Sequence, residues 1–398
     1  MGSLEGLREL NRQRVIDALR RCGTASRADL ARVTGLSRTT VATLVADLQA
    51  RGLVVDADGR AEAGRGRPPA LLRLDAAAGA AVGIDFDHPH VRVAAADLSS
   101  SVLAERTAEL DVDHAAAASL DAAVELVDAV LADAGLQRRD VVGVGMGLPG
   151  PVDRRAGTVV ASILPGWSGI RAGAELAQRL GLPVELDNDA NLGALGERSY
   201  GAARGLDDVV YVRMGSGIGA GLVLDGRVYR GADGMAGELG HVQVRPEGAV
   251  CRCGNRGCLE SVAGTGAVLT ILREAHGPQL TLRGLLDLVA GGDLGARRVV
   301  NDAGLAVGRV LADLCNALNP AAIVVGGDLS AAGEPLLGGI REAIDRFAQP
   351  GAARAVEVRP GVLGERAEVL GALALVVSDT DRVRSAGLVA IKQEAAIV

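Results

Sequence analysis

Apolar residues first recur with a helical period. Leu10, Val15, Ile16 and Leu19 fall close to one face of a helix, and Gly23 and Thr24 break the pattern. Ser26, with Asp29 three residues on, predicts a capped second helix over 27–33. Thr34-Gly35-Leu36 predicts a turn, and Ser37 caps a third helix running to about residue 51. Val41, Leu44, Val45 and Leu48 form its apolar stripe. Helix, short glycine-containing turn, helix is the arrangement that presents N-terminal side chains to a DNA major groove. Ser37, Arg38, Thr39, Thr40 and Thr43 are the candidates for that contact. Apolar alternation then predicts a strand from Gly52 to Asp56 and a return strand over 71–74. Between them, Gly64-Arg-Gly-Arg-Pro-Pro69 forms an arginine-rich wing, with Arg65 and Arg67 placed to reach phosphates or a minor groove.

After Asp75 the period changes. Residues 81–85 and 91–97 read as paired strands, 120–134 as an amphipathic helix, and 141–153 as a strand entering a glycine-rich turn. Residues 209–214 and 221–224 read as a second strand pair around Gly215-Ser-Gly-Ile-Gly219. Residues 322–330 read as a late strand with a turn of its own. Strand and helix alternation with three glycine turns at strand ends predicts two related lobes and a ligand cleft between them.

Composition sharpens this outline. At 398 residues the chain exceeds one typical core. Aromatic residues make up only 2%, so the cores must pack with Ala, Val and Leu. Residues 1–75 hold 13 arginines against 9 acidic residues, a net of +4. The whole chain is −7, which leaves −11 for residues 76–398. A basic head on an acidic body points to a head that meets an anionic polymer. Lys392 is the only lysine, so lysine-based phosphate or Schiff-base chemistry is excluded from the body. No stretch reads as a signal peptide or a membrane span, and the expected compartment is reducing cytoplasm.

The sharpest chemistry lies at Cys251, Cys253 and Cys258, with His241 ten residues upstream of the first thiol. Three thiols and an imidazole can surround one tetrahedral ion, and zinc is the usual occupant of such a set. Free buried thiols or a local disulfide are the alternatives. A bridge between Cys251 and Cys253, only two residues apart, would be strained. Four protein ligands close the site, so the ion would hold a loop and activate no water. Cys22 and Cys315 read as buried thiols, and His88 and His90 as solvated loop histidines, a surface metal clamp with a neighbouring carboxylate being the alternative.

These motifs together resemble the ROK family of repressors, open reading frames and kinases. The most specific points are the Cys251–Glu260 run, Gly237-Glu-Leu-Gly-His241, Asp187-Asn-Asp-Ala-Asn191, Gly147-Leu-Pro-Gly-Pro-Val-Asp153 and Gly215-Ser-Gly-Ile-Gly219. The resemblance implies an α/β chain: an N-terminal winged helix-turn-helix followed by a two-lobed actin/hexokinase-like domain. The head would span 1–75. The first lobe would span 76–188, completed by about 363–398, and the second lobe with its zinc site 189–362. The resemblance further implies that Asn188, Asp189, Glu238, His241 and Glu260 contact a sugar. Asp189 matches the general base of the family's kinases. A helix cap is the plain alternative for Asn188 and Asp189.

The first phosphate loop departs from the kinase pattern. Where the kinases carry Asp-x-Gly-Gly-Thr, this chain reads Asp85-Phe-Asp-His-Pro-His90. Asp87 adds negative charge and Pro89 removes an N–H donor, so ATP binding is expected to be weak or lost. The expected function is a sugar-responsive transcriptional regulator, a repressor of carbohydrate-use genes. Its expected partners are an operator duplex, a sugar or sugar-phosphate effector, and its own copies in a homodimer or homotetramer, with no membrane. An active ATP-dependent sugar kinase that also binds DNA is the alternative.

Overall fold

The computed structural model describes residues 4–57, 70–153, 156–159 and 164–378. Arg65 and Arg67 of the expected wing lie outside the described residues. Among the described residues no helix is long and apolar enough to cross a membrane.

The head contains helices Leu4–Cys22, Arg27–Thr34 and Arg38–Ala50. Ser26 Oγ accepts from the Asp29 amide while Asp29 accepts from the Ser26 amide, a reciprocal cap that starts the second helix. Gly35 ends that helix at φ +70°, a conformation that costs glycine little. Val15, Ile16, Leu19, Leu30, Val41, Leu44, Val45 and Leu48 close one core. Strands Val54–Asp56 and Leu71–Leu74 pair antiparallel, as the alternation predicts. A short third strand, Ala25–Ser26, joins the other edge of Leu71–Leu74. Leu98, from the body, belongs to the same apolar cluster, so the head is seated on the body through packed side chains. Cys22 is exposed, contrary to its reading as a buried thiol. It ends the first helix where the chain leaves the core.

The body holds two five-stranded sheets. The first runs, edge to edge, Val184–Asn188, Val141–Leu148, Ala80–Asp87, His90–Asp97 and Val102–Glu109. The second runs Arg227–Tyr229, Ile218–Leu224, Val209–Met214, Ala322–Gly326 and Glu357–Pro360. Helix Ala116–Asp133 covers the first sheet through Leu120, Ala123, Val127 and Val130. Helices Leu294–Leu318 and Glu334–Phe347 cover the second.

Helices Asp189–Tyr200 and Ala367–Val377 cross between the two sheets. Their backbones approach closely enough that a Cβ on Gly371 would collide with Leu192. Helix Ala367–Val377 lies against the first sheet, where Val369, Leu370, Leu373 and Val376 meet Ala81, Ala94 and Ala96. Small residues on the strands are what let an aliphatic helix settle this close.

Two loops differ from the sequence reading. The second-lobe turn is shorter than Gly215–Gly219, because Ile218 and Gly219 already pair with Met214 and Arg213 in the ladder. The strand extends inward because it packs on helix Asp189–Tyr200, where a Cβ on Gly221 would strike Ala190. The first hairpin likewise continues to Asp87 paired with His90, leaving a turn of His88 and Pro89.

Candidate functional site

Strand Val184–Asn188 runs into helix Asp189–Tyr200 at the mouth of the cleft. Asn188 caps that helix, its Oδ1 accepting from the Asn191 amide at 3.2 Å. Its amide nitrogen still donates to Gly150 O and to Asp189 Oδ1, both at 2.8 Å. Asp189 Oδ1 also accepts from the Ala190 amide of the first helical turn at 2.8 Å, so the capping alternative accounts for one oxygen of each residue and leaves out Asp189 Oδ2, 3.6 Å from Arg213. Asp187 is buried and bound by Arg230 at 2.6 Å, a second-lobe arginine on a first-lobe carboxylate.

The second lobe brings Glu238, His241 and Glu260 to the same cleft. Burial, with Asp189 and Glu260 nearby, pushes the Glu238 carboxyl up to about 7. His241 Nε2 lies 3.8 Å from Glu238, while Nδ1 turns the other way, 3.6 Å from Cys251 Sγ. Glu260 is already held by Arg252 through two bonds of 2.8 and 2.9 Å. Arg252 gives no separate signal in the sequence because it sits inside the cysteine run.

The ligating atoms of His241, Cys251, Cys253 and Cys258 lie within 4.8 Å of one another. Cys253 and Cys258 sulfurs are 3.7 Å apart. Thiolates at about 2.3 Å from a tetrahedral ion stand about 3.8 Å from each other, so the donor set fits a metal of zinc's size. All five cysteines are free thiols in the structure.

The loop Asp85–His90 is built differently from expectation. Arg213, on the buried strand Val209–Met214, reaches Asp87 at 3.0 Å, Glu368 at 3.2 Å and Asp189 at 3.6 Å. Asp85 lies behind them, its carboxyl pushed up by burial and then by Glu368 and Asp87. Burial also raises Asp189, against the opposing pull of Arg213. Asp87 is a paired ion spanning the lobes, where the sequence alone suggested a lone repulsive charge. His88 and His90 are half-buried and not solvated: His88 Nδ1 lies 2.6 Å from Asp113, and burial lowers His90. The sequence signal for this network was a lone arginine in an otherwise apolar strand and a lone glutamate, Glu368, in an otherwise apolar helix. Buried charges of that kind require partners.

In the head, Arg38, Thr39 and Thr43 are exposed on the third helix. Ser37 and Thr40 are engaged with each other: Ser37 Oγ accepts from the Thr40 amide at 3.1 Å and lies 2.8 Å from its hydroxyl. Those two side chains position the helix start and are less available to bases than their neighbours.

The chain matches the ROK family over residues 81–379 and the winged helix-turn-helix DNA-binding family over residues 8–55. It is 28% identical to the xylose repressor of Caldicellulosiruptor bescii over 392 residues, 95% of this chain and 98% of that protein. It is 38% identical to the glucokinase of Thermotoga maritima over 248 residues, 58% of this chain and 78% of that protein. A crystal structure of a ROK family transcriptional regulator, a homolog of the E. coli MLC protein, superposes with a TM-score of 0.79 at 26% identity. That match covers 97% of this chain and 98% of the other. A winged helix-turn-helix head joined to a two-lobed actin/hexokinase-like body places this chain in the ROK family.

Proposed function

We propose that this protein is a sugar-responsive transcriptional regulator that represses carbohydrate-use genes. The observation that carries the reading is the pairing, in one chain, of a complete acceptor cleft with a bridged donor side and a DNA-binding head. Asn188, Asp189, Glu238, His241 and Glu260 converge from both lobes, a constellation that can hydrogen-bond several hydroxyls of one sugar ring. Near-full-length likeness to the xylose repressor supports the same reading.

His241, Cys251, Cys253 and Cys258 would hold a structural zinc. Bound there, the ion supplies rigidity, fixing the loop that carries Glu260 and orienting the imidazole by one nitrogen so that the other faces the cleft. Asp189 can accept a hydrogen bond or a proton from a sugar hydroxyl. Phosphoryl transfer needs a positioned, neutralised donor as well, and the end of the first hairpin is occupied by the Asp87–Arg213 pair. Sensing needs only that sugar bind one lobe arrangement better than another. The head would read an operator through Arg38, Thr39 and Thr43 and touch the backbone through Arg65 and Arg67. A twofold assembly of the chain would match a palindromic site.

The test is a thermal-shift screen of hexoses, pentoses and their phosphates, followed by operator binding with and without each hit. A ligand that raises the melting temperature and changes operator affinity supports the reading. Operator binding indifferent to every sugar that binds would overturn it.

A further inference from the structure

The cleft and the head are gripped at opposite ends of the same two elements. At the cleft end, Arg213 of the second lobe holds Asp87, at the tip of the hairpin Ala80–Asp87 and His90–Asp97, and Glu368, at the start of helix Ala367–Val377. At the far end, Arg20 of the head does the corresponding thing. Its Nη2 donates to Val377 O, the last residue of that helix, at 2.7 Å. Its Nε donates to Leu98 O, just past the second hairpin strand, at 3.3 Å. Asp17 lies 3.4 Å from the remaining nitrogen and orients the group within its own helix. The Arg20 side chain is 12% exposed. A planar guanidinium spreads its donors over three nitrogens in a fixed fork and so spans two separated carbonyls, whereas a lysine ammonium presents its three N–H groups from a single nitrogen. A helix C-terminus offers unsatisfied carbonyls and negative dipole to it.

We propose that Arg20 is a positioning residue that locks the DNA-binding head to the first lobe, so that the two move as one body. Lobe rearrangement at Arg213 is then delivered to the head through the hairpin and helix Ala367–Val377. The head changes its placement relative to the second lobe while keeping its seat on the first. Packing of Leu98 into the head core supplies the apolar half of the same seat. This deepens the sensing role proposed above and rests on it for its purpose, although the lock itself requires no ligand.

The experiment uses the full ligand-free chain with dye pairs at exposed positions, read by single-molecule energy transfer. One pair, Arg32 with Arg139, spans head and first lobe, and a second, Arg32 with Arg283, spans head and second lobe. The expected parent shows one narrow peak for the first pair. Asp87→Asn should shift or broaden the second pair and leave the first unchanged. Arg20→Gln should cost the first pair its single narrow peak, and Arg20→Lys, with one donor group, should fall between. If Arg20→Gln does not fold by circular dichroism, Arg20→Lys alone decides. An unchanged narrow first pair in the Arg20 variants, or a broad one in the parent, overturns the proposal. Failure to find any responsive sugar would sink the sensing role, whereas the Arg20 lock stands or falls on the first dye pair alone.

Discussion

Arg213 and Asp87 stand 3.0 Å apart on different lobes, and no stretch of sequence links them closely. The pair belongs to a larger imbalance. Asp85, Asp87, Asp189 and Glu368 are four buried or half-buried carboxylates around one guanidinium. Removing Arg213 would strand them. Arg213→Met is expected to cost about 3–5 kcal/mol, the usual penalty for breaking a buried pair by deleting one partner. Chemical denaturation measures it, and a loss under about 1 kcal/mol would show the network to be dispensable.

The same imbalance gives stability a pH dependence. Burial pushes the Glu368 carboxyl from 4.5 up to about 7, against the pull of Arg213. Between those values the folded chain binds this proton more tightly than the unfolded chain does. Rising pH through the window therefore costs stability, and the cost is complete above it. Glu368→Gln removes that cost. The variant should melt higher than the parent at pH 8 and close to it at pH 4.5. Equal melting shifts at both pH values would contradict the assignment.

One metal ion per chain is expected at His241, Cys251, Cys253 and Cys258. Cys253→Ser should lower the zinc content measured by elemental analysis and weaken sugar binding, since Glu260 follows Cys258 by two residues. Metal-free protein with full sugar affinity would refute both parts.

Arg38 is exposed at the first turn of the third helix. If it makes a two-pronged contact to guanine, Arg38→Ala should cost about 1–3 kcal/mol at the operator and relax preference at one base pair. Arg65→Ala should instead weaken binding to all sequences and reduce its salt dependence. Binding titrations on operator and random duplex, at two salt concentrations, separate the two effects. Wild-type behaviour of the double variant would exclude these residues from the interface.

Sugar binding without phosphorylation is the expected behaviour of the cleft. Asp189→Ala should abolish the sugar-induced thermal shift while operator binding persists, because the recognition helix lies in a head with its own core. A coupled assay with ATP and a hexose panel checks the catalytic half. Turnover near or above about 1 s⁻¹, within the ordinary kinase range, would replace the sensor reading with a bifunctional one.

Local signals in the chain determined a good deal of this molecule. Capping residues Ser26 and Ser37, the apolar stripe of the third helix and strand alternation at 54–56 and 71–74 specify the head, because caps and periodicity act within a few residues. The Cys251–Cys258 spacing assembles three donors locally, and His241 needs only one short loop to join them. Tertiary structure decided what depends on distant partners. Asp87 reads as a bare charge until Arg213, 126 residues later, neutralises it. Arg20 reads as one more basic residue of a DNA-binding head until Val377, 357 residues away, receives it. The glycine turn at 215–219 shortened because helix Asp189–Tyr200 packs on the strand behind it. In each case the deciding energy is burial of a charge or of backbone against another element, and that term has no local signature beyond the charge being out of place.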